Sequence, residues 1–203
     1  MNYRRVFGAK KLIIFDIDGT LVDTMRWHPK WYQIVFRKLG YSRIHVPPDI
    51  MRIGGVPEKI FTPRMLEELG IASDPKTVQN VMRMRKKVIS AELKKPKKNL
   101  LLPGAAALLH RLKKEGKTLA VISGNTRRVG KTLLRAGGIN AYFSLQAFST
   151  DRYHGKEIRK RYEMIRIITE KAGKKIPLLE KSDILIVCDA PPEMAAAKHE
   201  NID

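Results

Sequence analysis

Apolar residues in this chain come in short unbroken runs separated by longer stretches of helical period. Leu12-Ile13-Ile14-Phe15 has no polar side chain to turn toward water, so it predicts a strand buried on both faces. Lys117–Ile122, apolar from Leu119 on, and Ile184–Val187 read as further buried strands, and Tyr142–Phe148 supplies another. Between the first two runs the period changes. Trp27, Trp31, Ile34, Val35 and Leu39 recur at helical spacing and stop at Gly40. Thr62-Pro63 predicts a cap and a first-turn proline, opening a helix that runs to Gly70. Asp74-Pro75 repeats that signal. It is followed by an apolar stripe of Val78, Val81, Met82, Val88, Ile89 and Leu93, which Pro96 closes. Further helices are expected over 105–115, 127–136 and 156–172, and an alanine-rich helix after the last strand.

Buried strands alternating with helices predict an α/β protein with a doubly wound, Rossmann-like parallel sheet. The helical stretch between the first two strands is too long for a crossover and predicts a separate lobe. The expected division is a core of residues 1–24 and 100–203 with a helical insert over 25–99. The lysine-rich run over 94–98 is expected to be a solvated linker.

Candidate chemistry lies where the strands end. The first strand stops on Asp16, Ile17 separates it from Asp18, and Gly19-Thr20 turns the chain away. Two carboxylates at the mouth of a parallel sheet repel each other unless a cation lies between them. Mg²⁺, which takes carboxylate, water and phosphate oxygens, is the simplest such ion. The second strand ends on Ser123-Gly124-Asn125, just before a helix. A hydroxyl and backbone amides at a helix N-terminus form a phosphate-binding arrangement; an ordinary strand-to-helix turn would need only a capping residue. The last strand ends on Asp189, with Glu193 four residues later. Arg26 and His28 follow the first loop closely enough to face a substrate.

These motifs resemble those of the haloacid dehalogenase superfamily, most of whose members are phosphohydrolases. Asp16-Ile17-Asp18-Gly19-Thr20 resembles the first motif and Ser123-Gly124-Asn125 the second. Asp189 and Glu193 are similar to the acids of the fourth, with Cys188 in place of the usual glycine and Glu193 where aspartate is common. The resemblance is to phosphoglycolate phosphatase-like members, which carry a helical cap over the active site. It implies that Asp16 is the nucleophile and Asp18 the acid and base. Ser123, Gly124 and Asn125 would hold the phosphoryl oxygens. Asp16, the Asp18 carbonyl and Asp189 would bind Mg²⁺ with support from Glu193. It also implies a basic residue from the third motif, and here two candidates stay open. Lys156 follows His154-Gly155, while Arg161 fits the branch that uses arginine; Arg159 and Lys160 lie between them. Family members usually add a strand after the one ending at Cys188, so that strand is expected at a sheet edge. The implied substrate is a small phosphorylated metabolite. A phosphomutase using the same residues and a non-catalytic polyanion-binding protein are the alternatives. True dehalogenases lack the second aspartate, so Asp18 argues against their chemistry.

Composition modifies this picture in two ways. The chain has 203 residues, enough for one core and a smaller lobe. It carries 40 Lys+Arg against 20 Asp+Glu, a net charge of +20. Such a field attracts polyanions and steers phosphorylated substrates. The cations are spread along the chain, with dense runs at 83–87, 94–98 and 159–161, and no aromatic residues interleave with them. A basic, solvated surface is therefore expected before a dedicated nucleic-acid face. Cys188 is the single cysteine, no secretory leader or membrane-spanning run is visible, and a cytoplasmic protein is expected. Cys188 is expected to be a small buried residue and not a nucleophile.

Overall fold

The computed structural model describes residues 3–95 and 100–203. The helix end expected at Pro96 and most of the lysine-rich linker lie outside those residues. A short helix α1 (Tyr3–Phe7) leads into β1 (Leu12–Phe15), whose four residues are all buried. The helices α2 (His28–Lys38), α3 (Glu58–Glu68) and α4 (Pro75–Glu92) follow before the core resumes. Then come α5 (Ala105–Lys114), β2 (Thr118–Ser123), α6 (Arg127–Ala136) and β3 (Leu145–Phe148). A small hairpin, β4 (Arg152–Tyr153) and β5 (Lys156–Glu157), precedes α7 (Arg161–Gly173), β6 (Ile184–Val187) and α8 (Pro191–His199).

The main sheet has the order β3-β2-β1-β6, and each neighbouring pair is parallel. Ile13, Phe15, Leu119 and Val121 pack on one face among α5, α6 and the helical insert. Leu12, Ile14, Ala120 and Ile122 pack on the other against Met164, Ile165 and Ile168 of α7. Covering both faces is what an uninterrupted apolar strand requires. β6 lies at the sheet edge, as expected, where the Ile186 N–H donates to the carbonyl of Asp203 at 2.7 Å.

Three sequence expectations are corrected. Thr62 does not cap a helix: α3 already starts at Glu58, its first N–H donating to the Gly124 carbonyl at 2.9 Å, and Pro63 lies inside the helix. The third strand is shorter than 142–148, because Asn140–Tyr142 form a 3-10 turn. The helix expected from Lys156 begins only at Arg161. His154 and Gly155 both have positive φ, 47° and 76°, which is the two-residue turn that closes a tight hairpin. Lys156 pairs with Tyr153 across that hairpin. The Glu163 carboxylate then accepts from the N–H groups of Arg159 and Lys160, each at 2.7 Å, and so fixes the start of α7.

Candidate active site

The C-terminal ends of β1, β2 and β6 meet the insert around a cavity of about 260 Å³. Asp16 and Asp18 line it from β1, Gly124 and Asn125 from β2, and Asp189 and Glu193 from β6 and α8. Arg161, the first residue of α7, lines it too. His28, Tyr32, Glu58 and Arg85 close the opposite side.

Asp16 is buried, and its carboxylate accepts from the Arg161 guanidinium. The same Nη2 lies 2.5 Å from Glu193 Oε1, so one cation serves two buried carboxylates. Burial raises the Asp16 pKa well above its ordinary value. Arg161 opposes this, while Glu193, Asp18 and Asp189 add to it. Glu193 is raised for the same reasons, burial first.

Asp18 is housed differently. Its Oδ1 accepts from Thr24 Oγ1 at 2.6 Å and lies 2.8 Å from His28 Nε2, and its Oδ2 accepts from the Asn125 amide. Burial pushes its pKa up, but the His28 bond and charge, Thr24 and Arg85 outweigh it and hold the group at about 2. The two aspartates of one short loop are thus driven in opposite directions.

Asp189 is brought to the first loop by close packing. Gly19 has φ +77°, and a Cβ there would lie 2.2 Å from Asp189 Oδ2. Thr20 Oγ1 donates to Asp189 Oδ1 at 2.9 Å. The Gly19-Thr20 turn thus brings Asp189 against the loop that carries Asp18, 171 positions away in the chain.

Among the described residues no three His, Cys, Asp or Glu side chains stand ready as a metal cluster. Mg²⁺ does not need one, since it takes one or two carboxylates and fills its shell with water and phosphate oxygens. The donors here are hard oxygens. The buried Glu193 Oε2 has no hydrogen-bond partner, and the pKa values of Asp16 and Glu193 are raised by burial first and by carboxylate neighbours in addition. A site with surplus buried negative charge fits a small divalent cation.

Of the basic candidates, Arg161 is in the site. Lys156 is exposed on β5 and Arg159 and Lys160 are also exposed, so the turn that moved the helix start removed them from the cavity. Ser123 is buried beneath the cavity wall instead of lining it. Its Oγ accepts from the N–H and the side-chain amide of Asn125, each at 3.2 Å. Arg26 is exposed and pairs with Asp23 at 3.0 Å. Cys188 is only half-buried, and burial with Glu193 and Asp16 nearby pushes its thiol up to about 11.

Sequence reasoning missed Arg85 and Glu58. Arg85 sits in the basic run 83–87 but is 4% exposed. Its Nη1 is 3.0 Å from Glu58 Oε1, its Nη2 donates to Asn125 Oδ1 at 2.8 Å, and its guanidinium lies over the Tyr32 ring. Glu58 Oε2 in turn accepts from the Thr126 N–H at 3.3 Å. A signal existed: Arg85 falls four residues after Val81 and three before Val88, on the apolar stripe itself.

The sequence profile of the haloacid dehalogenase-like hydrolases matches residues 13–203. The chain belongs to that family. It is 27% identical over 165 residues to a phosphorylated carbohydrates phosphatase of Thermotoga maritima, covering 78% of this chain and 72% of the relative. It is 31% identical over 136 residues to a Dickeya dadantii protein named "Probable phosphatase IndB", covering 67% of this chain and 57% of that one. In fold it is similar to CbbY from Rhodobacter sphaeroides, solved in complex with phosphate, with a TM-score of 0.77 at 20% identity over 95% of this chain and 84% of that one. The protein is a haloacid dehalogenase-family phosphohydrolase, and Asp16, Asp18 and Asp189 surround its cavity.

Proposed function

We propose that this phosphatase is Mg²⁺-dependent and hydrolyses a small phosphate monoester through an aspartyl-phosphate on Asp16. The observation that carries the reading is the unequal housing of the two carboxylates on one loop: Asp16 against Arg161, Asp18 against His28, Thr24 and Asn125. Two acids with separated environments are what a nucleophile and a proton carrier need.

Asp16 attacks phosphorus, and the bond to the ester oxygen breaks. Asp18 gives that oxygen its proton. Asp18 is ionised in the arrangement described, so it must take up a proton before this step, and a phosphate dianion entering beside it favours that uptake. In the second half Asp18 takes a proton from water. The water attacks the aspartyl-phosphate, inorganic phosphate leaves and the Asp16 carboxylate is restored. Arg161 offsets charge on Asp16 and the phosphoryl oxygens. Asp16, the Asp18 carbonyl and Asp189 would hold Mg²⁺, with Glu193 behind them. Once bound, the ion would neutralise the nucleophile and the phosphoryl group together.

Residues 25–99 act as a cap that excludes water from this chemistry. Arg85 and Glu58 tie that cap to the β2 loop. The cavity, at about 260 Å³, suits a small substrate such as a sugar phosphate. The test is a screen of small phosphate esters with Mg²⁺, run beside Asp16→Asn. Phosphate release by the parent and none by the variant is expected. Undiminished release by Asp16→Asn would overturn the nucleophile assignment.

A further inference from the structure

The basic run on α4 is split by the helix. Arg85 turns into the catalytic cavity, while Arg83, Lys86 and Lys87 face away from it. These three join Lys94 and, from α6 of the core, Arg128 to line a second groove of about 490 Å³. No acidic residue lines it, and it shares no residue with the catalytic cavity. Among the described residues Lys86, Lys87, Lys94 and Arg128 form no ion pair, and Arg83 only donates to Asn80 Oδ1. Nearby cations are paired, Lys95 with Glu92 and Arg127 with Asp151. Here Arg83, Lys86 and Lys87 of α4, Lys94 in the turn after it and Arg128 of α6 converge with no acidic residue among the lining.

We infer that this groove between α4 and α6 binds the phosphodiester backbone of double-stranded nucleic acid. Unbalanced cations at this density favour a polyanion through release of its condensed counterions. From Arg83 to the end of α4 at Glu92 the helix rises about 14 Å, with Lys94 in the turn just beyond, a length over which a duplex presents roughly eight phosphates on its two strands together. A small anion would engage only part of it. No aromatic ring lines the groove, so single-strand base stacking is not served and the contact is with the backbone, independent of sequence. The net charge of +20 adds long-range attraction. One consequence is that the duplex bridges the insert and the core without entering the catalytic cavity.

The experiment is fluorescence anisotropy with a labelled duplex of about 20 base pairs across roughly 50–200 mM salt. The parent should bind with log affinity falling linearly in log salt, with a slope near −4. The variant Lys86→Glu/Lys87→Glu/Arg128→Glu should bind at least tenfold more weakly, with the slope smaller by about 3. A charge-matched control, Lys113→Glu/Lys114→Glu/Lys175→Glu, alters exposed cations outside the groove and should lose less than about threefold. Equal losses in the two triple variants would mean a diffuse field and would overturn the site. So would absence of binding by the parent at the lowest salt. Tighter binding of inorganic polyphosphate than of duplex, per phosphate, would overturn the assignment to nucleic acid.

Discussion

The Arg85 guanidinium donates to Asn125 Oδ1 at 2.8 Å, joining the helical insert to the end of β2 across 40 positions of chain. That bond fixes which way the Asn125 amide points. With Oδ1 held by Arg85, the Nδ2 end must face Asp18 and Ser123, and it donates to both. A residue on the insert therefore sets a hydrogen bond to the proposed proton carrier.

Replacing Arg85 by Met should reveal this link. The buried Glu58 carboxylate loses its cation, at a cost of about 3–5 kcal/mol, read from urea denaturation. Lys87→Met, two residues on and on the exposed face, should change stability by less than about 0.5 kcal/mol. Because the Asn125 amide is freed to turn, kcat should fall in Arg85→Met beyond any change in KM.

Arg161 balances two buried carboxylates, so Arg161→Met should be among the most destabilising substitutions in the chain, by about 3–5 kcal/mol. The loss should shrink as pH falls and the raised Asp16 and Glu193 take up protons. Arg161→Lys keeps the charge but not the planar fork and should recover stability better than activity.

Stability should depend on pH through both aspartates with opposite signs. Asp18 is depressed from 3.8 to about 2, so its contribution is complete above the unfolded value and is lost as pH falls from about 4 to 2. A gap of that size corresponds to roughly 2 kcal/mol. His28→Ala removes its main stabilising partner and should reduce that acid-linked loss. Asp16 is raised, so its contribution is complete below 3.8 and is lost as pH rises through its folded value. Asp16→Asn should therefore raise the melting temperature at neutral pH, and Mg²⁺ should raise that of the parent more than that of the variant. Thermal melts from pH 3 to 8 read both signs.

Gly19→Ala should abolish activity while leaving the protein folded. The added methyl would lie 2.2 Å from Asp189 Oδ2, so Asp189 must move away from the loop. The left-handed backbone adds about 1 kcal/mol of strain. Loss of Mg²⁺ binding by calorimetry with a retained far-UV spectrum is the expected outcome. Chelation of divalent cations should likewise stop ester hydrolysis by the parent.

The sheet, its helices and the strand ends that carry Asp16, Asp18, Asn125 and Asp189 were legible because burial on two faces leaves an unbroken apolar run, and the residue that ends it faces the ligand side. The α6 boundaries agree with expectation to the residue, since polar and glycine stops flank that helix. The start of α7 was not legible from periodicity, because the positive φ of His154 and Gly155 bends the chain into a hairpin and delays the helix to Arg161. That single turn decides between Lys156 and Arg161 as the residue beside Asp16.

Local sequence determined which side chains could do chemistry, through strand ends, caps and the two-residue spacing of the first loop. Tertiary structure alone decided their partners. Arg85 and Lys86 are neighbours in a run of like residues, and nothing in that run distinguishes them. The helix turns them about 100° apart. One is left buried against Glu58 and Asn125 and the other in an acid-free groove, since a helix face acquires its meaning only from what packs against it.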